Sequence, residues 1–159
     1  MNAIDVGQWK ADWAWSLPLI ILNLVIHVVG LGLINESVVP ILTGAVERGH
    51  FLLKFVVVMG IVTFLATLLH GFEAVIWAGA YRLLGALPDA KSAMLYSLSA
   101  MTSYGHANLF LEEQWQLMGA LEALNGMLLF GLTTAFLFSV IQKVWPLVTK
   151  ARHRRPEDG

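Results

Sequence analysis

Cysteine is absent from the 159 residues, which excludes disulfides, thiolate metal sites and thiol nucleophiles. Charge is scarce: Asp, Glu, Lys and Arg make up 13% of the chain, against roughly 25% in a typical soluble domain. No apolar run carries an arginine array, so no voltage-sensing span is expected. The first fifteen residues include Asp5, Lys10 and Asp12 and lack the basic start and small-residue cleavage site of a secretory signal. The first apolar run is therefore expected to be retained as a membrane span. No nucleophile–base pattern, phosphate-cradling loop or metal signature is present, and no catalysis is expected. There is also no internal repeat, low-complexity tract or long linker.

What the chain does have is apolar length, with 57% hydrophobic residues gathered into contiguous runs. The first is Leu17 to Ile34, extendable to about Leu42 if Glu36 sits at an interface. The second runs from near Phe51 to about Ala80, with Lys54 at one end and His70 and Glu73 toward the other. The third is Leu117 to Val144, with Glu122 its only internal acid. About 20 apolar residues cross roughly 30 Å of hydrocarbon, so each run is long enough to span.

Between the second and third runs lies a segment of different character, Pro88 to Trp115. Pro88-Asp89 is a helix-start signal with Asp89 or Ser92 as cap, and Ala90 to Thr102 then reads as a helix too short to cross a bilayer. The next residues, Ser103 to Asn108, are polar and non-helical in character. Such a segment between two spans is either a re-entrant loop, which needs a protein or water-filled surrounding, or an extramembrane hairpin.

The charges suggest an orientation. Four of the ten Lys and Arg are Lys150, Arg152, Arg154 and Arg155. Placing this basic tail and the link around Arg48 and Lys54 in the cytoplasm puts seven of the ten inside and leaves Lys10, Arg82 and Lys91 outside. With three spans the N-terminus is then outside, and a re-entrant loop enters from outside. Trp13, Trp15, Trp115 and Trp145 lie near span ends, where interfacial belts form.

Leu95-Tyr96-Ser97-Leu98-Ser99-Ala100-Met101-Thr102-Ser103-Tyr104-Gly105-His106-Ala107-Asn108 resembles the pore helix and filter of bacterial two-span potassium channels, whose pattern is Tyr/Phe-Ser, then Thr-Thr-x-Gly-Tyr-Gly-Asp. The stretch Trp115 to Gly126 is similar to the start of the inner helix in a bacterial subgroup with an extra N-terminal span, and His70 with Glu73 matches that subgroup's His-x-x-Glu. The resemblance covers about Phe51 to Gln142. It implies an all-α membrane protein with three transmembrane helices plus a re-entrant pore helix and filter loop, assembled as a homotetramer in the bacterial inner membrane. On this reading residues 1–16 are a periplasmic segment and residues 17–50 the extra span and cytoplasmic link. Residues 51–145 are the pore domain, and residues 146–159 a basic cytoplasmic tail too short for a ligand-binding domain. No cofactor is implied beyond permeant K+ or Na+, and no nucleic-acid partner.

The resemblance places the selectivity filter on Thr102, Ser103, Tyr104, Gly105, His106, Ala107 and Asn108. Ser103 stands for the family's filter Thr, Tyr104 for its aliphatic residue and Gly105 for its first Gly. His106 replaces Tyr, Ala107 the second Gly and Asn108 the Asp. Such a filter strips an ion of water with rings of backbone carbonyls. An alanine in glycine's left-handed conformation would cost about 1–2 kcal/mol per chain, so the outer filter is expected to relax into another shape with weak or no potassium selectivity. The His106 imidazole either surrounds the outer mouth, where protonation would oppose cation entry, or packs behind the filter.

The remaining polar residues of the spans fall into i, i+3 pairs. His70 and Glu73 share a face of the second span, and Glu122 and Asn125 a face of the third. Ionisable groups in a span face protein or water, so these four are expected to support the filter. A metal site from His70 and Glu73 lacks a third ligand at any motif spacing. His27, with Asn23 one turn before it, reads as a core histidine bonded to a neighbouring helix. It could instead pair with His70 around a haem, although span position places the two at different depths. Gly126, Phe130 and Leu137 lie on an inward stripe of the third span, as hinge or gate or as plain helix packing. The alternative function is a non-conducting membrane subunit, a scaffolding or haem-bearing partner.

Overall fold

The computed structural model describes residues 6–40, 51–105 and 109–153. Every regular element among them is helical. Helix α1 (Val6–Leu33) runs straight into a π-helical turn (Ile34–Val38). Helix α2 (Phe51–Leu83) is followed by the short helix α3 (Ala90–Met101). A 3₁₀ turn (Glu113–Trp115) then leads into α4 (Gln116–His153). Among the described residues, three segments are long and apolar enough to cross a membrane: Trp9–Val38, Phe55–Leu83 and Glu113–Pro146.

The distribution of polarity is that of a membrane protein. Asn23, His27, Glu73, Ser97 and Glu122 are completely buried, whereas Ile21, Val28, Phe64, Phe72, Phe130 and Phe138 are more than half exposed. In water this arrangement would be costly. In lipid it is the favoured one, because apolar side chains meet hydrocarbon and polar groups find partners inside. The chain is an α-helical membrane protein.

Helix α1 starts at Val6 rather than at Leu17, where the apolar run begins. The reason is directional burial. Asp12 and Ser16 point inward, at 3% and 0% exposure, so these polar residues do not end the helix. Residues 6–16, which precede the first apolar run, are thus helical and continuous with it.

The chain divides by internal contacts into two compact units, residues 1–27 with 70–130, and residues 28–69 with 131–159. The second unit has an apolar cluster of Leu31, Ile34, Val39, Val58, Val62, Ala66, Val140 and Val144, against which Leu137 packs. Gly30 makes room there for the Leu69 side chain. Lys143 donates to Asn35 Oδ1 at 2.7 Å, and Phe55 meets Trp145 edge-on at 5.6 Å.

The first unit contains α3 and most of the buried polar groups. Its core is Trp77, Ala78, Ala80, Tyr81, Ala86, Leu87, Ala93, Leu111 and Met118. Helix α2 ends in a Schellman motif: the N–H of Ala86 bonds Tyr81 O, and that of Gly85 bonds Arg82 O. Gly85 takes the left-handed conformation the motif needs (φ 67°). Arg82 closes the turn by donating to Leu87 O at 2.7 Å. Asp89 then caps α3, accepting from Ser92 N at 2.9 Å and Ser92 Oγ at 2.6 Å. These bonds hold its carboxyl below the usual carboxylate range.

Candidate functional site

The loop after α3 is set up by how α3 ends. The N–H groups of Thr102, Ser103, Tyr104 and Gly105 all fold back on α3: onto Leu98 O, Ala100 O, Ser99 O and Ser99 O respectively. The Ser103 and Tyr104 bonds form a second Schellman motif. At its left-handed position stands Ser103 (φ 55°), where the matching position at the end of α2 holds Gly85. A serine there costs about 1–2 kcal/mol that a glycine would not. Strain of this kind collects at functional positions. Gly105 is again left-handed (φ 70°), so residues 103 and 105 share a handedness that Tyr104 between them lacks. Four successive N–H groups are thus tied to carbonyls of α3.

The side chains around this loop are strongly exposed for an apolar chain: Tyr104 is 82% and Phe110 72% accessible. A cleft of about 420 Å³ lies beside them, lined by Ser99, Ser103, Gly105, Phe110, Gln116 and Gly119 among others. Thr102 and Ser99 turn their hydroxyls back on their own helix, to Leu98 O and Leu95 O, each at 2.7 Å. His106, Ala107 and Asn108, on which the outer filter would rest, lie outside the described residues.

Helix α3 is held by a buried polar network. Ser97 Oγ meets Ala74 O of α2 at 2.9 Å and Glu122 Oε1 of α4 at 2.5 Å. Tyr81 donates to Glu122 Oε2 at 2.6 Å. Ser97, Tyr81 and Glu122 are all 0% exposed, so the network ties α2, α3 and α4 together in a dry interior. A hydroxyl has one proton, and Ser97 faces two acceptors: either that proton is shared, or the Glu122 carboxyl supplies a second.

Two glycines flank Glu122 on the same face of α4. A Cβ at Gly119 would overlap the Tyr96 hydroxyl, and one at Gly126 would overlap the Met101 backbone. The spacing Gly119, Glu122, Gly126 therefore reads as a seat for α3: one glycine under the Tyr96 ring, one under the helix end, the carboxyl between them. Helix α4 continues unbroken through Gly126, whose work in this structure is close approach. Asn125 is buried with its Nδ2 lacking a hydrogen bond. Phe130 is 67% exposed, and Leu137 belongs to the other unit.

His70 and Glu73 join a different residue. Glu73 Oε1 lies 2.8 Å from His27 Nδ1 of α1, and Oε2 lies 3.3 Å from His70 Nδ1. The His27 and His70 rings are 5.0 Å apart, tilted by 46°. They share one level, contrary to the depth mismatch expected from span position. That expectation used Leu17 as the start of α1, and the helix begins eleven residues earlier. A gap of 5.0 Å with Glu73 against both rings leaves no room for a porphyrin between them.

Of the expected support residues, Glu122 is in contact with α3 through Ser97, whereas Glu73 and His70 are assembled with α1. Tyr81, Ser97 and Gly119 escaped the sequence reading. The spacing of Gly119, Glu122 and Gly126 on one helical face was the available signal for the last of them.

No protein-family model matches the chain, and no curated protein and no solved structure is detectably similar to it.

Proposed function

We propose that this protein is one subunit of a tetrameric pore-loop channel for monovalent cations. The observation that carries the reading is the end of α3. A short helix lies between two span-length helices and turns its last N–H groups inward on itself, and the following backbone takes a strained left-handed serine and a left-handed glycine. A short helix ending in such a turn between two spans offers backbone carbonyls, the ligands a cation filter uses, and the negative end of α3 favours a cation beside it. One chain supplies one loop, so four must meet on an axis. The exposed Tyr104 and Phe110 fit surfaces that neighbouring copies cover. The resemblance to potassium-channel pores supports the same reading on the residues alone. With Gly105 the only filter glycine kept and Ala107 in the place of the second, potassium is weakly preferred or not preferred over sodium. The charge asymmetry supports a plasma-membrane location with the N-terminus outside and the basic tail in the cytoplasm.

Native mass spectrometry of the full chain released from mild detergent tests the assembly. Four chains per complex is the expected mass. A monomer or dimer as the sole species across detergents and lipid additions would overturn the tetrameric pore.

A further inference from the structure

Three donor groups converge in the first unit. His27 comes from α1, and His70 and Glu73 from α2. One ligand atom of each lies within 4.8 Å of the other two. His27 and Glu73 are completely buried and the His70 side chain is 25% exposed, so the cluster is enclosed but reachable. Two imidazoles and a carboxylate are the donor set that zinc and its neighbours take in sites of three protein ligands with a position left open.

A second observation points the same way. Asn23 is one helical turn from His27 on the same face of α1 and is 0% exposed, yet neither its Oδ1 nor its Nδ2 has a hydrogen-bond partner. Glu73 Oε2 likewise lacks a well-formed hydrogen bond. Buried polar atoms left in this state are costly and are normally answered by a bound water or ion. Here Glu73 Oε2 lies 3.3 Å from the His70 ring nitrogen, and Asn23 is one turn from His27.

We infer that His27, His70 and Glu73 form a binding site for a divalent transition-metal ion of the zinc class, with Asn23 Oδ1 or a solvent molecule at the fourth position. Bonds of about 2.0–2.2 Å to nitrogen and oxygen set tetrahedral ligand atoms roughly 3.3–3.5 Å apart. The His70 to Glu73 separation of 3.3 Å already fits. The 2.8 Å contact of His27 is to the other oxygen, Oε1, so the carboxylate turns to present one oxygen beside both imidazoles as an ion replaces the shared proton. Because the ligands come from two helices, the ion clamps α1 to α2. The site stands whether or not the chain conducts.

The test uses the full-length protein in detergent after removal of metal with a chelator. Zn2+ is titrated calorimetrically, and Co2+ is followed by its visible d–d absorption. The expected result is one ion per chain, with the strong visible band of four-coordinate cobalt. His70→Gln, at the partly exposed position, is expected to weaken Zn2+ binding by about 10–100-fold or more, the scale that even outer-sphere changes reach. His70→Cys is expected to restore it and to add a sulfur-to-cobalt charge-transfer band. Absence of binding to the wild-type protein, or binding that His70→Gln leaves unchanged, overturns the site.

Discussion

Gly126→Val is expected to disrupt the seating of α3 more than any other single glycine substitution among the described residues. A Cβ at this position runs into the backbone of Met101 at the end of α3, and no rotamer change relieves a clash with backbone. Overpacking of this sort costs about 1–3 kcal/mol, and more where the backbone must move. The effect should be graded. Gly126→Ala already introduces the clash. Gly119→Ala meets mainly the end of the Tyr96 side chain, which has some freedom to turn, although its ring stands edge-on to Tyr81 at 5.4 Å. Gly60→Ala meets nothing within 4 Å and is the control. The expected order of destabilisation is Gly126→Val, Gly126→Ala, Gly119→Ala, Gly60→Ala, read from thermal unfolding in one detergent. If Gly126→Ala behaves like Gly60→Ala, α3 does not rest on α4 as described.

The second large effect is at Glu122. Replacement by leucine keeps the bulk and removes both acceptors, leaving the Tyr81 hydroxyl without a partner in an enclosed space, while Ser97 keeps only Ala74 O. Each buried hydroxyl left unpaired costs about 1–3 kcal/mol. Helix–helix hydrogen bonds in membranes average nearer 0.6 kcal/mol, because the unfolded chain in lipid also finds partners, but Glu122 joins three helices at once. Glu122→Gln is expected to behave quite differently. Its amide oxygen accepts from Tyr81, its NH2 donates to Ser97 Oγ, and the Ser97 proton goes wholly to Ala74 O. Every bond of the network then has a donor and an acceptor. Thermal unfolding should show Glu122→Leu strongly destabilised and Glu122→Gln close to wild type. Equal loss in both would mean that the negative charge, rather than the hydrogen-bond pattern, holds α3.

The parts of the structure legible in the sequence are those set by local chemistry or long apolar runs. The three spans follow from run length. Helix α3 and its cap follow from Pro88-Asp89 and the Ser92 that bonds Asp89. The first turns of α1 were not legible, because Asp12 and Ser16 look like solvent-facing residues until a neighbouring helix buries them. His27 was readable as a core histidine, but its partner lies 46 positions away, and no periodicity links them. The same holds for Tyr81 and Glu122, 41 positions apart, and for Ser97 and Glu122, 25 apart. The left-handed Ser103 was hidden for another reason. A helix end of that type usually announces itself with glycine, as Gly85 does, and at Ser103 the chain keeps a side chain despite the backbone cost.

Ion flux through liposomes reconstituted with the purified full-length protein tests the central claim most directly. Potassium, sodium and a large organic cation are compared across pH. The account predicts similar flux of potassium and sodium and exclusion of the organic cation. No flux of any cation at any pH would contradict it.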